Sequence, residues 1–548
     1  MNNHTATFIQ YNTDQLILPM DFSDWIPETH IARLVHQVVE NLEDDCLLEA
    51  YPGGGRSAYH PKMMLKLVLY AYTQKVTSGR QMAKMCQDNL PMIWLTGHQQ
   101  PDFNTINRFR SQRLKTLIAQ IFEAMVLQMA DQGLFEWENY FLDGTKIEAN
   151  ANRYTFVWKK STLNYQGKLS EKIRDFLEEA DTFCQIELEE PEVIEALSDL
   201  TELSQSILER VATQDTPKEK AVIDTESVTQ VSDTLQRVNT SIQNAEVSKE
   251  VQRKFGKITK DFQTDFVPRM QKYDHYLEIM GERNSYSKTD PDATFMRLKE
   301  DHMRNGQLKP AYNVQIGTNQ QYILHYTIHP NPTDTRTLIP HLQSLEACHY
   351  PKPTTLIADA GYGSEPNYDY CYNHDYLPLI PYGKMYYEQK RKVKEDPKRW
   401  VNWTYDEGED CFINPSGIYY PFTFYSQRTD HSGFVRSYKI YQREDWNHEW
   451  SGEEIKEAEW QYRIYYNPTF EAYKAKAREL LLERKETREL YGHRKTEPET
   501  AFGNLKANLA FKRFRLRGIE KVIIEFGLAA LAHNLIKWGL TIQKVLIY

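Results

Sequence analysis

The sequence predicts a multidomain α/β protein: a mixed-sheet core preceded by a helical region and interrupted by one helical and one β-rich insertion. Three observations predict it. Strand-like apolar runs recur among helical patterns, and two of them end on an aspartate, in Tyr140-Phe-Leu-Asp143-Gly-Thr and Thr355-Leu-Ile-Ala-Asp359-Ala-Gly-Tyr. Residues 161–290 are rich in Glu, Gln, Lys and Ser, with few glycines or aromatics before Phe255. Residues 384–466 are rich in Tyr and Trp and broken by turns such as Asn414-Pro-Ser-Gly417.

The first element of the N-terminal region, residues 1–132, is an extended lead-in over 1–20. A helix follows from Pro27, with Ile31, Leu34, Val35, Val38, Val39 and Leu42 on its apolar side. Pro52-Gly-Gly-Gly55 is a break, and Pro61 sits where proline favours a helix start. A short helix over Arg80–Gln87 and a capped one over Pro101–Arg110 follow, the latter Asn/Arg-rich with Arg108 and Arg110 as DNA-binding candidates. Short helices with tight turns fit a helix-turn-helix-like DNA-binding unit, although an ordinary helical bundle gives the same pattern.

An amphipathic helix over 116–132 leads into the first core segment, 133–160, which carries Asp143. In the helical insertion, 161–290, Val228, Val231, Leu235, Val238, Ile242 and Ala245 step by three and four. That is a short coiled-coil seam in antiparallel helices joined near Pro217, read as a spacer or dimerisation arm. The second core segment, 291–383, begins with a polar loop through Lys299 and His302. It continues with strands over Tyr312–Gly317 and Tyr322–Ile328 and a helix capped by Asp334. The strand ending at Asp359, a helix from Glu365 and a strand over Tyr376–Ile380 complete it. After the β-rich insertion, 384–466, the third core segment, 467–548, holds a helix over Pro468–Leu490, a helix from Pro498 and an apolar C-terminal helix over Ile519–Ile547.

At 548 residues the chain is too long for one ordinary core, and 41% hydrophobic residues suffice to build several. No apolar run spans a bilayer and no signal peptide is evident, so a soluble, cytoplasmic protein with no membrane partner is expected. Six scattered cysteines without a CxxC pair argue against a zinc ribbon or disulfide scaffold. The net charge of −10 is unusual for a nucleic-acid binder until it is localised. Residues 171–250 hold 20 acidic and 7 basic residues, which leaves the rest of the chain at +3. Residues 491–518 carry 7 Lys and Arg against 2 Glu.

That basic stretch contains Glu499, Phe502 and Lys506 at helical spacing, with Arg494 and Lys506 placed to grip phosphate. Adjacent strand ends can bring Asp143 and Asp359 together, and a helix crossing the sheet can add Glu499. Three clustered carboxylates repel one another without counter-charge and suit Mg²⁺ or Mn²⁺, hard cations that prefer oxygen ligands.

The pattern Asp143-Gly-Thr, Asp359-Ala-Gly-Tyr and Glu499-x6-Lys506 resembles the DDE transposases of bacterial insertion sequences, whose catalytic core is RNase H-like. Tyr491, Arg494, Glu499 and Lys506 resemble that family's Tyr-Arg-Glu-Lys signature, except that four residues rather than three separate Arg494 from Glu499. Only Glu499, not Glu497, keeps six residues before Lys506. The Asp290-Pro-Asp, Tyr312-Asn-Val-Gln and Asn331-Pro-Thr-Asp334 stretches are similar to the group numbered eleven-eighty-two.

The resemblance implies that Asp143, Asp359 and Glu499 hold two metal ions. It implies that Tyr491, Arg494 and Lys506 meet double-stranded DNA at the transposon end and its target. The implied reaction is two-metal hydrolysis at the terminal inverted repeats followed by attack of the freed 3′-OH on target DNA, in a homodimer or higher assembly on the bacterial nucleoid. Arg513 and Arg515, interleaved with Phe511 and Phe514, form either a DNA-contacting or a merely solvated face. Alternatives are a catalytically silent, transposase-derived DNA-binding protein and an assembly protein dominated by the helical insertion.

Overall fold

The computed structural model describes residues 8–9, 22–51, 57–179, 191–213, 222–298, 306–444 and 461–547. Outside them lie most of the expected lead-in, the Pro52–Gly55 break, the joint near Pro217, Lys299 and His302. The chain forms two compact units, Met1–Glu148 with Tyr312–Tyr548, and Ala149–Ala311.

The first unit is built on five core strands: β1 (Asn139–Glu148), β2 (Leu308–Asn319), β3 (Tyr322–His329), β4 (Thr355–Ile357) and β5 (Leu377–Leu379). Their spatial order is β3-β2-β1-β4-β5. β4 runs parallel to both β1 and β5, while β2 and β3 form an antiparallel hairpin. This third-second-first-fourth-fifth mixed sheet is the RNase H-like arrangement. β1 sits at its centre, which explains why nearly every residue of that strand is shielded.

The C-terminal helix Ile519–Ile547 is apolar on most sides, and its middle, residues 522–535, is almost wholly buried. It packs on the helices Pro61–Thr73 and Leu114–Asp131 and on β3. Because β3 is an edge strand, its free backbone groups need partners. Asn534 provides one rung: Ile323 N–H donates to its Oδ1 at 2.8 Å, and its Nδ2 donates to Ile323 O at 2.8 Å. The N-terminal helices follow the expected apolar faces. Ile31–Glu40 begins at His30, whose Nδ1 accepts from Ala32 N–H at 3.2 Å, and Phe103–Arg108 begins at Asp102, which accepts from Asn104 and Thr105.

The β-rich insertion is a five-stranded antiparallel meander over Thr404–Asp406, Cys411–Ile413, Tyr419–Thr429, Val435–Gln442 and Arg463–Tyr466. One face closes on Trp403, Phe412, Tyr420, Tyr441 and Ile464.

The second unit is a helical bundle of Lys159–Glu178, Pro191–Ala212, Thr225–Asn244 and Lys249–Asp261, the last continuing through a wide turn into Val267–Met280. Val228, Val231, Leu235, Val238 and Ile242 are each 0% exposed, packed among Leu169, Ile173, Leu197 and Phe255 of the same unit. The seam therefore closes on its own bundle. In the same unit Thr294–Arg297 pairs antiparallel with Leu308–Ala311, the first residues of β2.

Candidate catalytic site

The register of β1 and β4 relates the first two carboxylates. Phe141 pairs with Ile357 in a parallel ladder; β4 ends there, two residues before Asp359, while β1 continues through Asp143 to Glu148. Asp143 and Asp359 thus each lie two residues past one paired position on neighbouring strands, which lie about 4.8 Å apart. Asp143 is 7% exposed and its Oδ1 accepts from Gly144 N–H at 2.9 Å. Asp359 is half-buried and caps the single turn Ala360–Tyr362, accepting from Gly361 N–H at 2.7 Å.

Between these two motifs stands Asp334. The sequence marks it as a helix cap, but its side chain caps nothing. Instead its Oδ1 accepts from Asn313 Nδ2 at 2.8 Å and from Gln315 Nε2 at 3.0 Å. Asn313 and Gln315 lie two apart on β2, share one face, and are buried. Buried amides without partners would cost about 1–3 kcal/mol each, so Asp334 is what allows them inside the sheet. The Gln315 amide is oriented by this contact, and its Oε1 accepts from the Tyr362 hydroxyl. Burial pushes that hydroxyl well above the ordinary phenol range, the charges of Asp334, Asp143 and Asp359 push it further, and Arg494 opposes them. All three aspartates and one arginine therefore face a single buried tyrosine.

The two glycines beside the aspartates are explained by this crowding. A Cβ on Gly144 would lie 2.3 Å from Gln315 Nε2 and 2.8 Å from Asp334 Oδ1. One on Gly361 would lie 2.8 Å from Asp359 Oδ1 and 3.8 Å from Asp334 Cβ.

The third carboxylate comes from the helix Glu497–Gly503, which carries Pro498 in its first turn and lies along β1. Pro498, Ala501 and Phe502 are buried, so Phe502 is a core residue. Glu497 and Glu499 fall on opposite sides of the helix. Glu497 is committed to the fold, accepting Gln321 N–H at 2.6 Å, whereas Glu499 is exposed. Seven residues further on, Lys506 Nζ donates to Thr145 Oγ1 at 2.8 Å, two residues beyond Asp143. The helix is thus tied to the middle of β1, beside the first aspartate.

Tyr491 and Arg494 approach from the preceding turns. The Arg494 guanidinium lies 6.0 Å from the Tyr491 ring. Burial pushes the Tyr491 hydroxyl up to about 12 and the Asp359 charge adds to this, while Arg494 opposes it. Arg513 and Arg515 are exposed, with Arg513 Nε 3.8 Å from Glu148 Oε1. Phe511 and Phe514, at 4% and 1% exposure, are core residues and present no stacking face to DNA. Arg108 is exposed, but Arg110 is 5% exposed and donates to Thr77 O at 2.7 Å and Asn107 Oδ1 at 2.6 Å. Arg110 is therefore a packing residue of the N-terminal helices rather than a DNA contact.

The donors gathered here are carboxylate oxygens, the chemistry that suits Mg²⁺ or Mn²⁺. Among the described residues, however, no group of three or more His, Cys, Asp or Glu side chains is close enough to hold an ion. Glu499 therefore does not complete a closed ligand set with Asp143 and Asp359.

An RNase H-like sheet with one aspartate inside its central first strand, another just beyond its fourth, and a glutamate helix laid along the first defines a DDE-type core. Residues 283–535 match the family model for the transposase DDE domain, and residues 20–112 match that for a transposase domain, DUF772. The chain belongs to the DDE transposases of insertion sequences. Comparison with curated proteins and with solved structures gave no significant match. Among the described residues no helix is long and apolar enough to cross a membrane.

Proposed function

We propose that this chain cleaves DNA at the terminal inverted repeats of its own element and joins the freed 3′-OH ends to target DNA. We place it in the group numbered eleven-eighty-two. The observation that supports this best is the parallel register of β1 and β4, which carries Asp143 on one strand and Asp359, inside the matched transposase DDE domain, just beyond the other. Asp143 and Asp359 hold the divalent metal, and Glu499 joins them from the helix that Lys506 ties to Thr145 of β1. Mg²⁺ or Mn²⁺ bound there, as a pair, supplies Lewis-acid activation of the attacking hydroxyl and stabilises the leaving oxygen. Arg494 and Tyr491, beside Asp359, and Lys506 meet the phosphates of the cleaved end, while Arg513, Arg515 and Arg108 extend the basic track. Two ends require two protomers, so the working form on the bacterial nucleoid is a dimer or larger.

The open ligand set favours a second reading, a DNA-binding protein without catalysis. The full chain incubated with DNA bearing its element's ends and Mg²⁺ separates the two. The expected result is end cleavage that falls roughly a thousandfold in Asp359→Ala, since several kcal/mol of transition-state stabilisation are lost, with DNA affinity retained. Binding without cleavage under Mg²⁺ or Mn²⁺ would establish the second reading. Equal cleavage by Asp359→Ala would remove the site assignment.

A further inference from the structure

Four separate stretches of sequence meet at one carboxylate that the reaction itself does not call for. Asn313 and Gln315 from β2 donate to Asp334 Oδ1. Gln315 in turn receives the Tyr362 hydroxyl, three residues beyond Asp359. Gly144, next to Asp143, lacks a side chain where Asp334 and Gln315 approach. The backbone is tied as well: Thr335 Oγ1 donates to Gly361 O at 2.9 Å, and Asn367 Nδ2 donates both to Thr335 O at 3.0 Å and to Tyr362 O at 2.8 Å. The turn carrying Asp359 is thus held to the Asp334–Thr335 turn through backbone and side chain alike. β4 itself is only three residues long and ends before Asp359, so the ladder does not fix that carboxylate's direction.

We propose that Asp334 is a positioning residue, which through Gln315 and Tyr362 sets the Asp359 carboxylate against Asp143 so that the two receive a divalent cation together. The inference rests on the function proposed above. Asp334 acts through its hydrogen bonds and does not coordinate the ion: its Oδ1 already accepts two amide donors. An asparagine at 334 keeps an oxygen acceptor for Asn313 and Gln315, and an alanine does not. The charge is therefore dispensable and the acceptor is required. Outer-shell partners of this kind alter metal affinity about 10–100-fold when removed.

The test uses the full chain titrated with Mn²⁺, with free Mn²⁺ read by electron paramagnetic resonance and a thermal melt recorded for each variant. Asp334→Ala is expected to weaken Mn²⁺ binding about tenfold or more, and Asp334→Asn by no more than about threefold. Tyr362→Phe removes only the hydroxyl that Gln315 accepts, and a loss of about three- to tenfold is expected. It keeps the proposal open to refutation should the alanine variant fail to fold. Losses in Asp334→Asn as deep as in Asp334→Ala would make Asp334 a direct ligand and overturn the proposal. Wild-type affinity in Tyr362→Phe would overturn it too. A wild-type chain that binds no Mn²⁺, or an Asp359→Ala variant that binds it fully, would instead bring down the proposed metal site and this inference with it.

Discussion

The helical bundle and the catalytic sheet bury side chains in opposite ways. The bundle's interior is a seam of valine, leucine and isoleucine, any of which satisfies its neighbours by shape alone. The sheet hides Asn313, Gln315 and Asp143, with His341 of the helix Leu338–Glu346 buried against it, and most of these find their partners across long stretches of chain. Apolar burial is non-directional and roughly proportional to area. A buried polar group is stable only with a particular partner at a particular angle. Sequence tolerance should therefore be wide in the bundle and narrow around Asp334.

The largest effect expected outside the site tests the bundle side of this contrast. Leu235→Ala should destabilise it by about 2–5 kcal/mol, the transfer and cavity cost of a buried leucine, while leaving Mn²⁺ binding at the sheet intact. Denaturant unfolding alongside the Mn²⁺ titration checks this. A stability loss under 1 kcal/mol would mean the seam is not what holds the bundle.

An acid-sensitive reserve lies on the sheet side. Burial holds His325 and His329 down to about 4, and holds His341 far below its ordinary value, with His325 and His329 adding to that. Tyr140 Oη lies 2.7 Å from His341 Nε2, and Thr327 Oγ1 lies 2.8 Å from both His341 Nδ1 and His329 Nε2, which ties β1 and β3 to the helix Leu338–Glu346. These groups stay neutral when folded but take up protons near 6.5 when unfolded. Their stabilisation is complete above pH 6.5 and is lost as the pH falls toward 4, by up to about 3 kcal/mol each for His325 and His329. Thermal melts should drop steadily between pH 7 and pH 5, and His325→Gln should flatten that slope. A melt independent of pH over this range would contradict the buried, neutral assignment.

The smallest effect separates two neighbouring arginines. Arg110→Ala leaves Thr77 O and Asn107 Oδ1 without their buried donor and should cost about 1–3 kcal/mol of stability. Arg108→Ala should alter stability by no more than about 0.5 kcal/mol, with a few-fold loss of DNA affinity and a shallower salt dependence. A reversal of these two readouts would turn the N-terminal helices around with respect to DNA.

Much of this was legible in the sequence because it depends on local periodicity. The runs ending at Asp143 and Asp359, the hairpin of β2 and β3, the bundle seam and the C-terminal helix each follow from patterns of two or of three and four. The sequence prefers Glu499 to Glu497 for a different reason, that only Glu499 keeps six residues before Lys506. Where the reading failed, the deciding partner was remote. Phe511 and Phe514 alternate with arginines as a DNA-stacking strip would, yet both rings turn into the core. Arg110 stands beside exposed Arg108 and is buried all the same. Asp334 has the spacing of a helix cap, and its role is set by Asn313, Gln315 and Gly144, none of them local to it. The one available signal was the pair of amides inside an otherwise apolar strand, which required a buried acceptor somewhere.

By itself the sequence determined the elements, the chain order of the three candidate carboxylates and the concentration of acidity in the bundle. Those properties follow from side-chain chemistry and short-range spacing. Only the tertiary structure decided that β1 and β4 run in parallel register, and that Asp334 accepts from Asn313 and Gln315 while Thr335 beside it binds the turn carrying Asp359. Which strands become neighbours depends on how distant apolar faces are buried together, and no stretch of sequence specifies that alone.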